Sequence, residues 1–280
     1  MPETSGRVVL VTGTSSGIGL ATAVAFAAAG DTVVATMRDL GRAGALRQAV
    51  EAAQVDVELH QLDVTDDASV DGCLEALDHR FGRLDVVVNN AGVGSSGTLE
   101  EISLDDLRQS IETNLLGVAR VTKAVLPAMR AAGAGRIIAV SSIAGAFGQP
   151  FNDAYCAAKC ATEGLYEALH PVIARFGVHL SLVEAGPVAN EFRERSSGVG
   201  ADRHEGVYAE LWKAFSAVAD AGYVGAQTNE EVAAVIVAVA AAEAPVLRYQ
   251  TSEAVTKLVG RKLADLTGER VTSMTARWLG

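Results

Sequence analysis

One alternation constrains this chain more than any other feature. Short β-branched runs at Val8–Thr12, Thr32–Thr36, Val57–Leu62, Val86–Asn89, Arg136–Ser141 and His179–Glu184 are separated by longer, Ala-rich stretches near 18–29, 42–53, 66–81, 103–131 and 153–176. The runs are almost unbroken in apolar residues, as in Arg-Val-Val-Leu-Val and Asp-Val-Val-Val. A strand with one wet face alternates apolar with polar. A strand without that alternation must be covered on both faces, as in a parallel sheet between two helical layers. Repeated strand–helix units therefore predict an α/β fold, a doubly wound parallel sheet with right-handed crossovers and helices on both faces. No repeat, linker or low-complexity tract interrupts the pattern, which predicts a single domain over 1–280.

Composition narrows the class. The chain is 49% hydrophobic, and its 28 Gly and 6 Pro are too few for a disordered chain among 280 residues. A core of this size needs no disulfide or metal to hold it. Acidic residues outnumber basic ones by 34 to 23, giving a net charge of −11 without a basic cluster, so a nucleic-acid partner is not expected. Three sparse cysteines, Cys73, Cys156 and Cys160, suit a reducing compartment. The N-terminal residues lack a signal-peptide pattern. The longest apolar run, Val232–Ala242, is about half of the roughly 20 residues a membrane span needs. These features predict a cytoplasmic protein without an integral membrane span.

Beyond Glu184 the chain changes character. A polar, Gly-containing stretch, Arg193–Gly206, precedes helical stretches near 207–221, 228–243 and 252–266. A long polar loop after a strand end, followed by helices, reads as a lid with a C-terminal helical extension at about 187–280. The plainer reading is a surface insertion away from any ligand.

The segment Thr12-Gly-Thr-Ser-Ser-Gly-Ile-Gly19 joins the first strand to the first helix. Glycines at 13, 17 and 19 let the backbone turn tightly and approach a pyrophosphate at the helix N-terminus. With Ser15, Ser16 and Ile18, they make a candidate dinucleotide cradle in a Rossmann-like fold. The second strand ends in Ala35-Thr-Met-Arg-Asp39, with no carboxylate at its tip to bond an adenosine ribose. Arg38 follows, and a guanidinium is suited to a 2′-phosphate, so NADP(H) is favoured over NAD(H). Asp39 is placed either to pair with Arg38 or to reach a ribose. Asp63 and Val64 follow the third strand, where a carboxylate can accept from an adenine amino group. Asn89-Asn90-Ala91-Gly92 follows the fourth and can line the cofactor channel. Each of these two segments is equally readable as an ordinary turn.

Tyr155 and Lys159 stand four apart on a helical stretch and so share a face. A phenol titrates near 10, too high for proton transfer at neutral pH, and a neighbouring ammonium favours its ionised form. That is the tuning required for acid–base work on an alcohol or ketone. Ser142 ends the fifth strand, on the side where such sheets bind ligands, and can bond a substrate oxygen. Asn114 sits inside a helical stretch although Asn is a poor helix former, which points to a kinked turn able to hold a water near Lys159.

Together Thr12–Gly19, Asn89–Gly92, Asn114, Ser142, Tyr155 and Lys159 resemble the short-chain dehydrogenase/reductase family over essentially the whole chain. Phe151–Lys159, Phe176–Leu182, Glu184–Val188 and Leu247–Tyr249 resemble the branch that holds type 1 17β-hydroxysteroid dehydrogenases and retinol dehydrogenases. The resemblance implies Tyr155 as acid/base, Ser142 as substrate-orienting, Lys159 as ribose ligand and pKa modulator, and Asn114 as the water-holding relay. It implies cofactor contacts along Gly186-Pro187-Val188. Asn190 stands where many members carry Thr, and can bond a nicotinamide carboxamide. It also implies a hydrophobic substrate, steroid- or retinoid-like, and a homodimer or homotetramer. The alternative from another class is a nucleotide-binding sensor without catalysis, for which a broken Ser–Tyr–Lys set would be expected.

The remaining residues carry less. His60, His79, His170, His179 and His204 lack metal-ligand spacing, so no metal site is expected. Phe147, Gln149, Phe192 and His204 are candidates for contact with substrate, each with a structural role as the plainer reading. Cys156 and Cys160 read as packing residues.

Overall fold

The computed structural model describes residues 6–192, 196–198, 206–264 and 277. Its strands are β1 (Val8–Thr12), β2 (Thr32–Met37), β3 (Glu58–Gln61), β4 (Val86–Asn89), β5 (Ser95–Ser96), β6 (Gly135–Ser142), β7 (Val178–Ala185), β8 (Ser197–Gly198) and β9 (Arg248–Gln250). Its helices are α1 (Gly17–Ala28), α2 (Gly44–Ala53), α3 (Asp67–Phe81), α4 (Leu104–Ile111), α5 (Gly117–Ala132), α6 (Ile143–Ala146), α7 (Asp153–Ile173), α8 (Ala209–Tyr223), α9 (Asn229–Ala241) and α10 (Glu253–Leu263).

Seven strands form a parallel sheet in the order β3-β2-β1-β4-β6-β7-β9. The apolar runs place successive side chains on opposite faces, and each face meets its own helical layer. Val9, Val11, Val33, Ala35, Val86 and Val88 pack with Ala23 and Phe26 of α1, Leu46 of α2 and Val232, Ile236 and Val239 of α9. Leu10, Val34, Val87, Ile137 and Leu180 pack on the other face with Leu77 of α3, Val121 and Val125 of α5, and Tyr166 of α7. The expected doubly wound sheet is therefore present. The run Val232–Ala242, whose length is too short for a membrane, supplies a helix of the first layer. No helix among the described residues is long and apolar enough to cross a membrane.

Chain order reverses between β1 and β4, so the loops after these strands diverge to leave a crevice at the carboxyl edge of the sheet. Two departures from the sequence expectation affect this edge. A seventh strand, β9, extends it beyond β7. The stretch expected as one helix over 103–131 is broken at Glu112–Leu116, a single π turn between α4 and α5. Much of the Arg193–Gly206 lid, including 193–195 and 199–205, lies outside the described residues.

Candidate active site

The glycine loop is shaped by close approach. Gly13 (φ +72°) and Gly17 (φ +62°) adopt left-handed conformations that favour glycine. A methyl group on Gly19 would lie 2.3 Å from both Gly13 O and Asn90 Nδ2. Asn90 closes the crevice from the other side, donating through Nδ2 to Thr12 O (2.9 Å) and Gly13 O (3.0 Å). The Asn90 and Ala91 amides both donate to Thr12 Oγ1 at 3.0 Å. The two loops at the switch point are thus stitched together. Ser15, Ser16 and Gly17 stay partly accessible, and Ile18 leans on the first core layer. No acidic side chain occupies the first turn of α1, so its positive end is not neutralised from within the helix.

The residues after β2 have separate roles. Asp39 caps a short 3₁₀ turn, its Oδ1 accepting from Gly41 N at 2.9 Å, while Arg38 is exposed. Asp63 braces its own turn by accepting from Thr65 N and Oγ1 at 3.0 and 2.8 Å. Val64 is buried beside Gly117.

The candidate catalytic residues Ser142, Tyr155 and Lys159 are carried by β6 and α7. Ser142 ends β6 and caps α6, its Oγ accepting from Ala144 N at 3.1 Å. Burial pushes the Tyr155 phenol upward, and the Ser142 hydroxyl works in the opposite direction. Lys159 is buried one turn on. Its Nζ lies 5.7 Å from the centre of the Tyr155 ring and donates to Val140 O at 2.8 Å. Burial lowers the Lys159 amine from 10.5 to about 8, with the charge of Glu163 opposing the fall.

Asn114 occupies the π turn, an arrangement frequent at functional sites. Its amide grips Val93 from both sides: Nδ2 donates to Val93 O (2.9 Å), and Oδ1 accepts from Val93 N (3.1 Å). Its carbonyl faces α7 and accepts from Thr162 Oγ1 at 2.9 Å. A methyl on Gly92 would stand 2.8 Å from Asn114 Oδ1 and 4.0 Å from Lys159 Nζ, so these three residues converge.

Gly186, Pro187 and Val188 follow β7. Val188 bridges to Gln227, and Asn190 uses Oδ1 to accept from Phe192 N (3.0 Å) and Nδ2 to donate to Asn229 Oδ1 (2.9 Å). Phe192 lies over the reactive phenol, with ring centroids 5.7 Å apart. The ladder between β5 and β8 ties the segment beyond Phe192 to the loop after β4.

Phe147 corrects the expectation of a substrate wall. It is fully buried with Ile143, Val255 and Val259, where it anchors α10. Gln149 is half-buried at the loop before α7, its backbone N–H directed at Cys156 Sγ. Burial pushes the Cys156 thiol up to about 12 and raises Cys160 as well, which fits packing residues. His204 lies outside the described residues. Among the described residues, no group of three or more His, Cys, Asp and Glu is placed to hold a metal ion. The sequence assigns no role to Thr162, Glu163 or, within Leu247–Tyr249, to Arg248, since the partners that engage them are remote in the chain.

The sequence model of the family described as short chain dehydrogenase matches residues 7–198. The chain is a short-chain dehydrogenase. Human 17-beta-hydroxysteroid dehydrogenase type 1 is 40% identical to this dehydrogenase over 278 residues, covering 95% of this chain and 84% of its own. Retinol dehydrogenase 8 of Bos taurus is 40% identical over 272 residues, covering 94% and 86%. Among solved structures, a short-chain dehydrogenase from Streptomyces avermitilis superposes with a TM-score of 0.81 at 33% identity, covering 98% of this dehydrogenase and 99% of that chain. A short-chain dehydrogenase/reductase from Burkholderia phymatum in complex with NAD gives 0.79 at 26% identity, covering 95% and 96%. An alcohol dehydrogenase from Thermococcus sibiricus complexed with 5-hydroxy-NADP gives 0.71 at 26%, covering 88% and 96%.

Proposed function

We propose that this dehydrogenase interconverts a secondary alcohol and a ketone on a hydrophobic, steroid- or retinoid-like substrate, using NADP(H). The observation that carries the reading is the convergence of Ser142, Tyr155 and Lys159 at the mouth of the glycine cradle. The residues fit a dinucleotide: the first turn of α1 carries no acidic side chain, the two switch-point loops are stitched, and Lys159 and Gly92 lie side by side. A bound nicotinamide would supply or take up the hydride.

The chain's own residues handle the oxygen and the proton. Ser142 bonds the substrate oxygen and orients it toward the Tyr155 phenol. Tyr155 gives its proton to that oxygen as a ketone is reduced, and removes it as an alcohol is oxidised. Burial alone keeps the phenol protonated, the form needed for reduction. The Lys159 cation counters burial by stabilising the phenolate, and Asn114, converging with Gly92 and Lys159, is the water-holding member for proton return.

Arg38 supports the preference for NADP(H). It is exposed beyond the tip of β2, and Asp39 beside it uses Oδ1 to cap its own turn. Phe192, its ring tilted against that of Tyr155, supports an apolar substrate, and the names of the relatives support a steroid or retinoid. The exposed Leu104 and Leu116 support the expected homodimer or homotetramer, which sedimentation tests. Three free cysteines support a cytoplasmic location. A screen of steroids, retinoids and aryl ketones, followed by nicotinamide absorbance with NADPH and NADH, tests the reaction. Turnover of an apolar ketone with NADPH supports the reading, and no turnover with any carbonyl or alcohol contradicts it.

A further inference from the structure

Beneath the reactive set lies a buried polar cluster that the mechanism above does not use. Ser141, Glu184 and Gln250 stand in one row across β6, β7 and β9, one residue below Ser142. Glu163 enters this row from α7, one turn beyond Lys159. Its Oε1 accepts from Ser141 Oγ at 2.5 Å, and its Oε2 accepts from Arg248 Nε at 2.9 Å. Arg248 also reaches Glu167 Oε2 at 2.7 Å. Both Glu163 and Glu184 are buried, and Arg248 Nε spans them, 2.9 Å from Glu163 Oε2 and 3.6 Å from Glu184 Oε1.

Two carboxylates cannot share such a site as a pair of anions. Glu184 Oε2 accepts from Gln250 Nε2 at 2.6 Å. Glu184 Oε1, however, is buried without a donor, with Arg248 Nε no nearer than 3.6 Å. A proton on Glu184, donated to Glu163, satisfies both oxygens. Burial and the neighbouring charge of Glu163 push the Glu184 carboxyl upward, in the direction this assignment needs. Glu163, paired with Arg248, then carries the negative charge. The charged and titratable groups facing it are Lys159, Cys160 and Glu167 on α7, Glu184 on β7 and Arg248 on β9.

We propose that Glu163 is a positioning residue for the reaction: a buried carboxylate, held by Arg248 and by a proton resident on Glu184, that keeps the Lys159 ammonium charged beside Tyr155. This rests on the reading of Lys159 as the cationic partner of the phenol. Its consequence is directional. Without the Glu163 charge, burial acts on Lys159 unopposed and the amine loses its proton at lower pH.

The test uses the cofactor-free protein. The chain has five lysines, so isotope-labelled lysine gives a resolvable NMR titration, with Lys159 assigned through Lys159→Arg. Glu163→Gln should lower the Lys159 midpoint by about one pH unit, a tenfold change in its acidity. Glu184→Gln copies the protonated acid and should leave the midpoint within a few tenths of wild type. An unmoved midpoint in Glu163→Gln, or an equal shift in both variants, overturns the proposal. Infrared spectroscopy near neutral pH gives a second readout that does not need Glu163→Gln to fold. A carboxylic-acid band in wild type should vanish in Glu184→Gln, and its persistence would place the proton elsewhere and overturn the assignment. With an active substrate, Glu163→Gln should move the alkaline limb of kcat down by the same interval. Both spectroscopic results are independent of turnover, so failure of the functional reading and failure of this inference are separable.

Discussion

Lys159 faces Tyr155 across one helical turn, its ammonium 5.7 Å from the centre of the phenol ring and anchored on the Val140 carbonyl. Burial works on the two groups in opposite directions, raising the phenol and lowering the amine. Burial thereby brings the titration of the amine, at about 8, into a range enzymes experience.

The first prediction concerns that range. Lys159 titrates at about 8, so its charge is present below that value and lost above it. Ketone reduction should accordingly lose kcat as pH rises through about 8. Replacing Lys159 with Arg, which keeps its charge, should move this limb upward. A pH profile of kcat measures both effects.

The same shift predicts a conflict between stability and function. The folded state holds the Lys159 proton less tightly than the unfolded chain, whose amine titrates near 10.5. Between about 8 and 10.5 the unfolded chain binds more protons, so stability gains as pH rises through this window. Lys159→Met should stabilise the protein near neutral pH by about 1–3 kcal/mol, with activity lost. Its advantage should shrink across the same window, as denaturant titrations at several pH values can measure.

Gly19→Ala should damage the cofactor cradle, because the new methyl would lie 2.3 Å from Gly13 O and Asn90 Nδ2. Backbone on one side leaves little room to yield. Fluorescence titration should give NADPH affinity weakened at least about tenfold, a loss of roughly 1.4 kcal/mol.

Arg38→Ala should separate the two cofactors. A charged hydrogen bond to phosphate is worth roughly 1.5–3 kcal/mol, or about 10- to 100-fold. NADPH should weaken by that factor while NADH changes little. Equal loss for both would remove Arg38 from 2′-phosphate recognition.

Legibility in the sequence followed the range of each signal. The six β-branched runs and the glycine loop announce themselves locally, and their strand ends recur within two residues in the structure. Asn114 gave away the break in the long helical stretch, because Asn resists a helix interior. The strand β9 gave no such signal: Arg248, Tyr249 and Gln250 are short, polar-flanked and at the sheet edge. Phe147 is open to two readings in the sequence, because an aromatic before α7 suits a pocket wall and a core equally well, and its packing with α10 gives the core one. The Glu163–Glu184–Arg248 cluster was invisible, since its members meet only when two strands and a helix come together.

Tyr155→Phe tests the central claim most directly. The substitution removes the hydroxyl and keeps the ring against Phe192, so the cradle should be untouched. Single-turnover and steady-state rates should fall by a factor of about a thousand, within the range expected for loss of a general acid, with NADPH affinity unchanged. Turnover retained near the wild-type rate would contradict the account.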